Sequence, residues 1–500
     1  VRSRGLGDVY KRQRAGLLVS VFIVLFSSYG HLHAAFYALP VSIGSFPFGV
    51  HTILFPLSAA LLLLLSLAVL RRKRSFFDLT RILNAAALML IIMTLVRIGA
   101  FMIENRGAER FEVDAELFGP DGGPLERPEA PPNIYYIVLD AYPRADNLKE
   151  LYGYDNGPFL EFLASRGFSV AERATTNYSR TIHSLSSSLN SAYLDPIVLR
   201  AGEESTNLKP LRVVLEENRA RRLLSTLGYR FVAIRSGFQN TDLVNADIYL
   251  TPGRRGEFEA ALIRTTAASP VYSWLLRVSD RAADAERAND RRRIEYILDA
   301  LPRTARYEFP VFVFAHIIAP HPPFVFDAEG GEVEDGRYRA FKSANDLIHP
   351  EGMTRERYAR LFVDQLVYLN GRVMALVDSL LAASKVPPVI VLRGDHGPGT
   401  FFHHSRLDLS YLGDRMAILY AIRLPDGPSR LCYDSMTPVN TFPIIFDEIF
   451  GGRFELREDR NYYVGREHPY RFIEVTDLIG DRGDRDRLRE LQGLDYYPDR

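Results

Sequence analysis

Two apolar runs of the chain each end in a carboxylate. Asp140 closes the run that starts at Asn133, and Asp395 and His396 follow the run that ends at Leu392. Buried parallel strands have this pattern, and their carboxyl ends share one edge of a sheet. Carboxylate oxygens and an imidazole nitrogen bind divalent cations. We therefore expect one divalent metal ion (Mn²⁺, Mg²⁺, Zn²⁺ or Ca²⁺) at this edge, with a helix-capping carboxylate as the alternative for Asp140.

A hydroxyl that such a cation could activate lies in the polar segment 177–194. Thr181 starts a run that predicts a helix, whose N-terminus would favour an alkoxide and an incoming anion. Asn177 and Arg180 are candidate substrate contacts or solvated turn residues. Other hydroxyls near Thr181 stay open as alternatives: Thr175, Thr176, Ser179 and Ser184.

Four histidines complete the set of candidate residues. His321 is expected to contact a phosphate or a leaving group, whereas His316 is either a substrate contact or a satisfied core histidine. His403 and His404 are adjacent, so we expect only one of them to point inward.

The elements that must position these residues alternate between strands and helices. Further apolar runs predict strands at 229–234, 311–315 and 417–422, and apolar side chains spaced by three or four predict a helix over 355–383. This alternation predicts an α/β domain with a mostly parallel central sheet that is covered on both faces.

The first hundred residues have a different character. The uncharged run 52–70 predicts a transmembrane helix, and 15–29 and 83–103 predict two further spans, the last interrupted by Arg97. Basic residues 71–74 follow the second span, whereas 31–50 contain no Lys or Arg, so the third span should end outside the membrane. A cleaved signal peptide over 12–38 is an alternative for the first span.

These patterns divide the chain into four parts. We expect a transmembrane region over 1–104, a Pro/Gly-rich linker over 105–131, a catalytic domain over 132–455 and a C-terminal extension over 456–500. The sequence starts with Val1 rather than Met, so we expect the natural N-terminus to be either missing or replaced.

Composition excludes several classes of protein. The 61 basic and 61 acidic residues give a net charge of zero, which argues against a general nucleic-acid binder. One cysteine, Cys432, excludes an intramolecular disulfide and a cysteine-based zinc site.

The four segments resemble the alkaline phosphatase and sulfatase superfamily, and within it the membrane-anchored phosphoglycerol and phosphoethanolamine transferases of the lipoteichoic acid synthase type. The resemblance covers roughly 132–455 and implies an alkaline phosphatase-like α/β/α fold. It places the metal on Asp140, Thr181, Asp395 and His396, with Thr181 as the nucleophile.

The resemblance also bears on the histidines. His316 and His321 match a His-x4-His-Gly-Pro segment of the envelope transferases, except that Pro322 replaces the Gly. The offset of a sulfatase histidine favours His403 over His404. The Cys/Ser-x-Pro-x-Arg motif of formylglycine sulfatases is not present at Thr181, and no second-zinc segment is evident, so a single metal is expected.

The implied function is a metal-dependent phosphotransferase that moves a phospho-alcohol group from a phospholipid to a cell-envelope glycan through a phospho-Thr intermediate. We expect it in the inner membrane, multi-pass, with the catalytic domain facing the periplasm or outside. The lipid bilayer and a phospholipid or glycan substrate are the expected partners. Two alternatives stay open: a metal-dependent phosphodiesterase, phosphatase or sulfatase-like hydrolase, and a non-catalytic membrane scaffold.

Overall fold

The computed structural model describes most of the chain, which folds into two compact units. The described residues are 2–37, 42–43, 46–47, 50–72, 77–107, 117–118, 123–252, 262, 266–272, 280–333, 343–348 and 353–492. The N-terminal unit comprises Val1–Arg110 with Gly253–Asp284, and the sheet unit comprises Phe111–Pro252 with Ala285–Arg500.

The N-terminal unit is mainly helical. It contains α1 Arg2–Tyr37, α2 Val50–Arg71 and α3 Phe77–Gly107, with two short paired strands, β1 Ser42–Ile43 and β2 Phe46–Pro47. Lys11–Leu32 and Ile53–Arg71 are long and apolar enough to cross a membrane, and they cover the first two predicted spans. In α3 the apolar stretch is the shorter Thr80–Met93, so the third span stays a prediction.

The sheet unit is built on seven strands in the order β4-β9-β8-β3-β7-β5-β6. Five adjacent strands from β8 to β6 are parallel, while β9 runs antiparallel to both of its neighbours, β8 and β4. This arrangement confirms the α/β fold class with a mostly parallel sheet. The strands are β3 Ile134–Leu139, β4 Phe168–Val170, β5 Arg230–Ile234, β6 Ile248–Leu250, β7 Val311–Ile317, β8 Val389–Gly394 and β9 Tyr420–Arg423.

Strand β3 shows why the central strands are apolar throughout. Tyr136 and Val138 enter one hydrophobic cluster, whereas Tyr135 and Ile137 enter a second cluster on the opposite face, and all are fully buried. Successive strand side chains point to opposite faces, so a strand covered on both sides needs apolar residues at every position.

Helices cover both faces of this sheet. The longest has the predicted bounds, Arg355–Ala383, and starts at Thr354, whose side chain accepts a hydrogen bond from the Arg357 N–H. Although this helix is apolar enough to resemble a span, its buried face packs in the core. The helices are α4 Ala145–Tyr152, α5 Gly157–Ser165, α6 Thr181–Asn190, α7 Asp195–Ala201, α8 Lys209–Glu216, α9 Arg219–Thr226, α10 Asp280–Thr304, α11 Ala344–Ile348, α12 Arg355–Ala383, α13 Leu412–Met416, α14 Thr441–Phe450 and α15 Arg482–Gln492.

Part of the segment expected to be a linker packs against the sheet unit. Leu117 and Phe118 are buried in its core, and the Glu126 N–H donates to the carbonyl of Phe450 over 2.8 Å. These apolar side chains interrupt the Pro/Gly-rich composition and give the segment something to bury. Over its described residues it is therefore not a free tether.

The C-terminal residues also belong to the sheet unit. Strands β10 Tyr462–Val464 and β11 Phe472–Glu474 form a hairpin. The Tyr462 N–H donates to the Asn177 carbonyl over 2.8 Å, and the Ser179 N–H donates to the Tyr462 carbonyl over 3.1 Å. The hairpin thus fixes the backbone immediately before helix α6.

Candidate metal centre and active site

The carboxyl ends of three adjacent parallel strands bring the candidate ligands together. In the strand register Val138 of β3 lies opposite His316 of β7, and Leu139 lies opposite Gly394 of β8. Asp140 and Asp395 therefore follow neighbouring strand ends at one edge of the sheet. The Asp140 N–H donates to the Ile317 carbonyl over 2.9 Å, which continues the ladder past the end of β3.

Three buried polar atoms at this edge have no hydrogen-bond partner among the described residues: Asp140 Oδ1, His316 Nε2 and Asp395 Oδ2. The ligand atoms of these three residues lie within 4.8 Å of one another. Buried polar atoms are nearly always paired, because burial without a partner costs free energy. An acid–histidine–acid set with orphaned atoms fits a divalent cation, for which O and N atoms are suitable ligands.

Two backbone N–H groups orient the Asp395 carboxylate for binding a cation. Its Oδ1 accepts hydrogen bonds from the Ala141 N–H over 3.0 Å and from the His396 N–H over 2.9 Å. One carboxylate oxygen is thereby occupied, and the other, Oδ2, is left for a ligand.

His396 and Thr181 adjoin the same cluster. His396 Nε2 lies 3.2 Å from Asp395 Oδ2, 3.9 Å from Asp140 Oδ1 and 3.1 Å from Thr181 Oγ1. His396 Nδ1 lies 3.0 Å from the Gly397 carbonyl, which favours a proton on Nδ1 and a lone pair on Nε2. The structure thus brings together the four residues expected to hold the metal.

His316 lies closer to these residues than the sequence indicated. Its Nε2 is 3.4 Å from Asp140 Oδ2, and its Nδ1 is 2.8 Å from Thr241 Oγ1. The Thr241 hydroxyl in turn contacts Ser236 Oγ at 2.9 Å, and the Ser236 hydroxyl donates to Asp242 Oδ1. A hydrogen-bonded outer chain of this kind is typical of a metal-binding histidine. We therefore place His316 among the candidate ligands rather than the substrate contacts.

The protonation of the site suits a cation. Burial acts to raise the pKa of Asp140, but the charge of His321 and the contacts to His316 and His396 hold that pKa well below its usual range. Burial and the charge of Arg415 lower the pKa of His396 to about 4, despite the opposing effect of the nearby carboxylates. At neutral pH Asp140 is thus a carboxylate and His396 a neutral imidazole.

Among the hydroxyls that the sequence left open, Thr181 is the one that faces the cluster. Thr176 and Ser184 both donate to the Asp395 carbonyl, over 2.7 and 2.9 Å. Ser179 Oγ accepts from the Val464 N–H, and Thr175 Oγ1 accepts from the Asn461 amide. These four hydroxyls hold the backbone around the site, whereas Thr181 Oγ1 points at His396.

A fully buried guanidinium joins helix α6 to the end of β8. Arg393 donates from Nη2 to Ser184 Oγ over 2.5 Å, from Nη1 to the Tyr136 hydroxyl over 2.9 Å and from Nε to the Gly394 carbonyl over 2.8 Å. Ser184 lies one helical turn after Thr181, so this network fixes the position of the Thr181 turn relative to Asp395.

A cavity of about 180 Å³ opens beside Thr181. Three guanidinium groups line it, those of Arg180, Arg415 and Arg466, and a metal bound nearby would add to their positive potential. The lining residues are Asp140, Arg180, Thr181, Ile182, Phe238, Asn240, His321, Ser343, Asp346, His396, His404, Arg415 and Arg466. The cavity is therefore suited to an anionic substrate.

Besides Asp395 and His316, which belong to the metal cluster, two expected site residues do not line this cavity. Asn177 is buried and its amide bonds to the Thr437 hydroxyl, the Arg460 carbonyl and the Val439 N–H, which is a structural role. His403 also lies outside, with its Nδ1 accepting from the Ser405 N–H over 3.1 Å.

The neighbour of His403, His404, lines the cavity instead. Burial, Arg415 and Arg466 together lower the pKa of His404 well below its ordinary value. The structure thus places His404, rather than the expected His403, at the cavity, and which histidine acts in catalysis stays a prediction.

Arg180 and His321 do line the cavity, as expected for substrate or leaving-group contacts. Arg180 Nη1 donates to the carbonyls of Gly465 and Arg466 over 3.2 and 3.4 Å. Burial and the neighbouring Arg466 lower the pKa of Arg180. Whether either residue contacts substrate stays a prediction.

Comparisons with known proteins give structural similarity at low identity. No family model and no curated protein sequence matches the chain. The C-terminal periplasmic domain of EptC from Escherichia coli is 15% identical with a TM-score of 0.42, covering 72% of this chain and 99% of that one.

Two further structures extend the similarity. The 2-O GAG sulfatase BT1596 is 15% identical with a TM-score of 0.43, covering 67% of this chain and 73% of that one. A protein of the alkaline phosphatase superfamily from Vibrio parahaemolyticus is 13% identical with a TM-score of 0.39, covering 68% and 72%.

Proposed function

We propose that the chain is a membrane-anchored, metal-dependent phosphotransferase that moves a phospho-alcohol group from a phospholipid donor to a cell-envelope glycan. The observation that carries this proposal is the convergence of three unpartnered ligand atoms with a threonine hydroxyl 3.1 Å from His396. The apolar helical segments in the N-terminal unit favour a donor that lies in the membrane.

Asp140, His316, Asp395 and His396 would hold the cation. When bound, it would supply positive charge that favours the Thr181 alkoxide and neutralises a non-bridging oxygen of the substrate. Asp395 is oriented by two backbone N–H groups and His396 by the Gly397 carbonyl, so these ligands need little rearrangement.

Thr181 would act as the nucleophile. Its hydroxyl first releases its proton to solvent; the oxygen then attacks the phosphorus in line, the bond from phosphorus to the donor alcohol breaks, and a phospho-Thr181 ester forms. His321 would give a proton to the leaving alcohol, because the lowered pKa of His404 leaves that imidazole uncharged at neutral pH. A glycan hydroxyl then gives its proton to His321 and attacks the phosphorus, the bond to Thr181 breaks and leaves the Thr181 oxyanion, and the product departs. With water in place of the glycan, the same steps give hydrolysis.

The experiment follows both halves of this reaction. The full chain in detergent would be incubated with Zn²⁺ or Mn²⁺ and head-group-labelled phosphatidylglycerol or phosphatidylethanolamine, with and without a glycan acceptor. We expect diacylglycerol release that rises with acceptor, and label on Thr181. Thr181→Ala should lose turnover by orders of magnitude, because the nucleophile is gone, while Thr181→Ser keeps part of it.

Thr175→Ala is the matched control, since it removes a nearby hydroxyl that bonds Asn461 rather than the cluster. Acceptor-independent release would favour a hydrolase instead. Full activity in Thr181→Ala would refute the covalent mechanism.

A further inference from the structure

The Arg415 side chain is held in place by hydrogen bonds to the segment before Thr181 and to the segment after His396. Its Nε donates to the Ser179 carbonyl over 2.8 Å, two residues before Thr181, and its Nη1 donates to the Gly397 carbonyl over 3.0 Å, next to His396. The Gly397 N–H returns a bond to the Arg415 carbonyl over 2.7 Å. A Cβ on Gly397 would overlap the Asp414 carbonyl, so the loop approaches α13 as closely as glycine allows. The guanidinium is therefore fixed before any substrate arrives.

The same guanidinium is a buried charge without a bonded counter-ion. Only 5% of Arg415 is exposed, and it lines the cavity beside Thr181. Among the described residues, its hydrogen bonds go to backbone carbonyls, and its Nη2 has no partner. Asp140, Asp395 and Asp414 act on it through space, whereas Arg180 opposes them. Burial lowers the pKa of Arg415 to about 10, which still leaves it charged at neutral pH.

A buried guanidinium that lines a cavity together with the proposed nucleophile, and that bonds only backbone carbonyls among the described residues, favours an anionic ligand. Backbone carbonyls neutralise only part of such a charge, and a charge buried without an opposite partner is costly. Guanidinium N–H groups match the oxygens of a tetrahedral oxyanion in both direction and spacing.

We infer that Arg415 is a catalytic residue that binds a non-bridging oxygen of a tetrahedral oxyanion, a phosphate or sulfate ester, and orients it for attack by Thr181. This inference rests on the proposed function for the reaction, but the anion site itself is defined by Arg415. The two carbonyl bonds remove the need to reorganise the side chain when charge develops on that oxygen.

The test compares anion binding with turnover. Inorganic phosphate is titrated calorimetrically into the Zn²⁺-loaded full chain in detergent, for wild type, Arg415→Met and Arg415→Lys. We expect the phosphate Kd to rise about 10- to 100-fold in Arg415→Met, the range for loss of a hydrogen bond to a charged group. Arg415→Lys should show a smaller rise in the phosphate Kd, because a lysine keeps the positive charge but lacks the planar set of N–H donors of a guanidinium. The value of kcat/KM should fall in the same order.

Arg423→Met is the matched control. Arg423 likewise bonds backbone carbonyls, those of Arg166 and Pro388, but it lies at the other end of β8 from the site. We expect its phosphate affinity to equal that of wild type. Circular dichroism melts establish whether each variant is folded. If Arg415→Met does not fold, the phosphate affinity of Arg415→Lys is the deciding measurement, and we expect it to be at least about fivefold weaker than that of wild type.

Wild-type phosphate affinity in folded Arg415→Met, or in Arg415→Lys when that variant decides, would overturn the inference. Absence of phosphate binding to the wild-type chain would also overturn it. Weakened phosphate binding in a protein that never releases diacylglycerol would instead support the anion site and contradict the proposed function.

Discussion

Thr241 gives the sharpest test of the metal centre, because it acts on the site without supplying a ligand. A metal-binding His316 presents its Nε2 lone pair to the cation and carries its proton on Nδ1, 2.8 Å from Thr241 Oγ1. Thr241→Val keeps the shape of the side chain and removes this acceptor. Loss of such an outer partner typically weakens metal binding 10- to 100-fold, or about 1.4 to 2.8 kcal/mol.

The stability of the metal-free protein is a separate measurement. Without a cation, His316 can move its proton to Nε2 and face Asp140 Oδ2 at 3.4 Å. Thr241 Oγ1 also contacts Ser236 Oγ and the Phe238 carbonyl, so we expect the metal-free chain to lose about 1 kcal/mol of unfolding free energy for each hydrogen bond removed. A loss of Zn²⁺ affinity in a folded Thr241→Val variant therefore reports the ligand-orienting role, and the loss of unfolding free energy reports the structural one.

The assay is a competition titration of Zn²⁺ between the full chain in detergent and a chromophoric chelator. Thr241→Ser, which retains the hydroxyl, is the matched control and should bind Zn²⁺ like wild type. In a His316→Ala background the Thr241→Val substitution should have no further effect, because it acts through that imidazole. Equal Zn²⁺ affinity in Thr241→Val and wild type would refute the placing of His316 among the ligands.

Three further predictions address other parts of the molecule. His321→Gln should lower turnover about 10²- to 10⁴-fold, less for substrates with good leaving groups, while His403→Gln leaves it near wild type; the reverse order would restore His403 as the general acid. Burial raises the pKa of Asp414 to about 6, so the folded state holds a proton that the unfolded state releases near pH 4, and stability falls as pH rises between these values. The stability of Asp414→Asn relative to wild type should thus grow by about 3 kcal/mol from pH 4 to pH 7 in denaturant titrations, and a constant difference would contradict the shift. A reporter fused after Ile103 should be active only outside the cytoplasmic membrane, whereas activity in the cytoplasm would reverse the proposed orientation.

The sequence predicted the strand-end acids well because their signal is local. An apolar run that stops at a carboxylate marks both the strand and its exposed end, as at Asp140 and Asp395. His316 was harder, because it lies inside the buried strand β7, where composition alone cannot distinguish a ligand from a core histidine. Only the register that pairs it with Val138 places it beside Asp140.

Long-range contacts carried no local signal at all. The role of Arg415 follows from its hydrogen bond to the Ser179 carbonyl, and the role of Thr241 follows from its hydrogen bond to His316. Both partners lie far away in the sequence. The choice between His403 and His404 depended on the path of an irregular loop, which is fixed by contacts such as that of Tyr463 with the His403 carbonyl. Spacing cannot encode such a path.

The hairpin that pairs with the backbone before Thr181 has a consequence for biosynthesis. The hairpin includes Tyr462, and the later residue Asp484 accepts hydrogen bonds from the N–H groups of Leu412 and Gly413. The ribosome adds these residues up to about 300 positions after Thr181. At roughly 5 to 20 residues per second, the ribosome needs about 15 to 60 s to supply them. During that interval the Thr181 turn and the helix that carries Arg415 lack these contacts. If the proposed function holds, a nascent chain would stay inactive until its last residues are made, and would not react with lipid before synthesis nears its end.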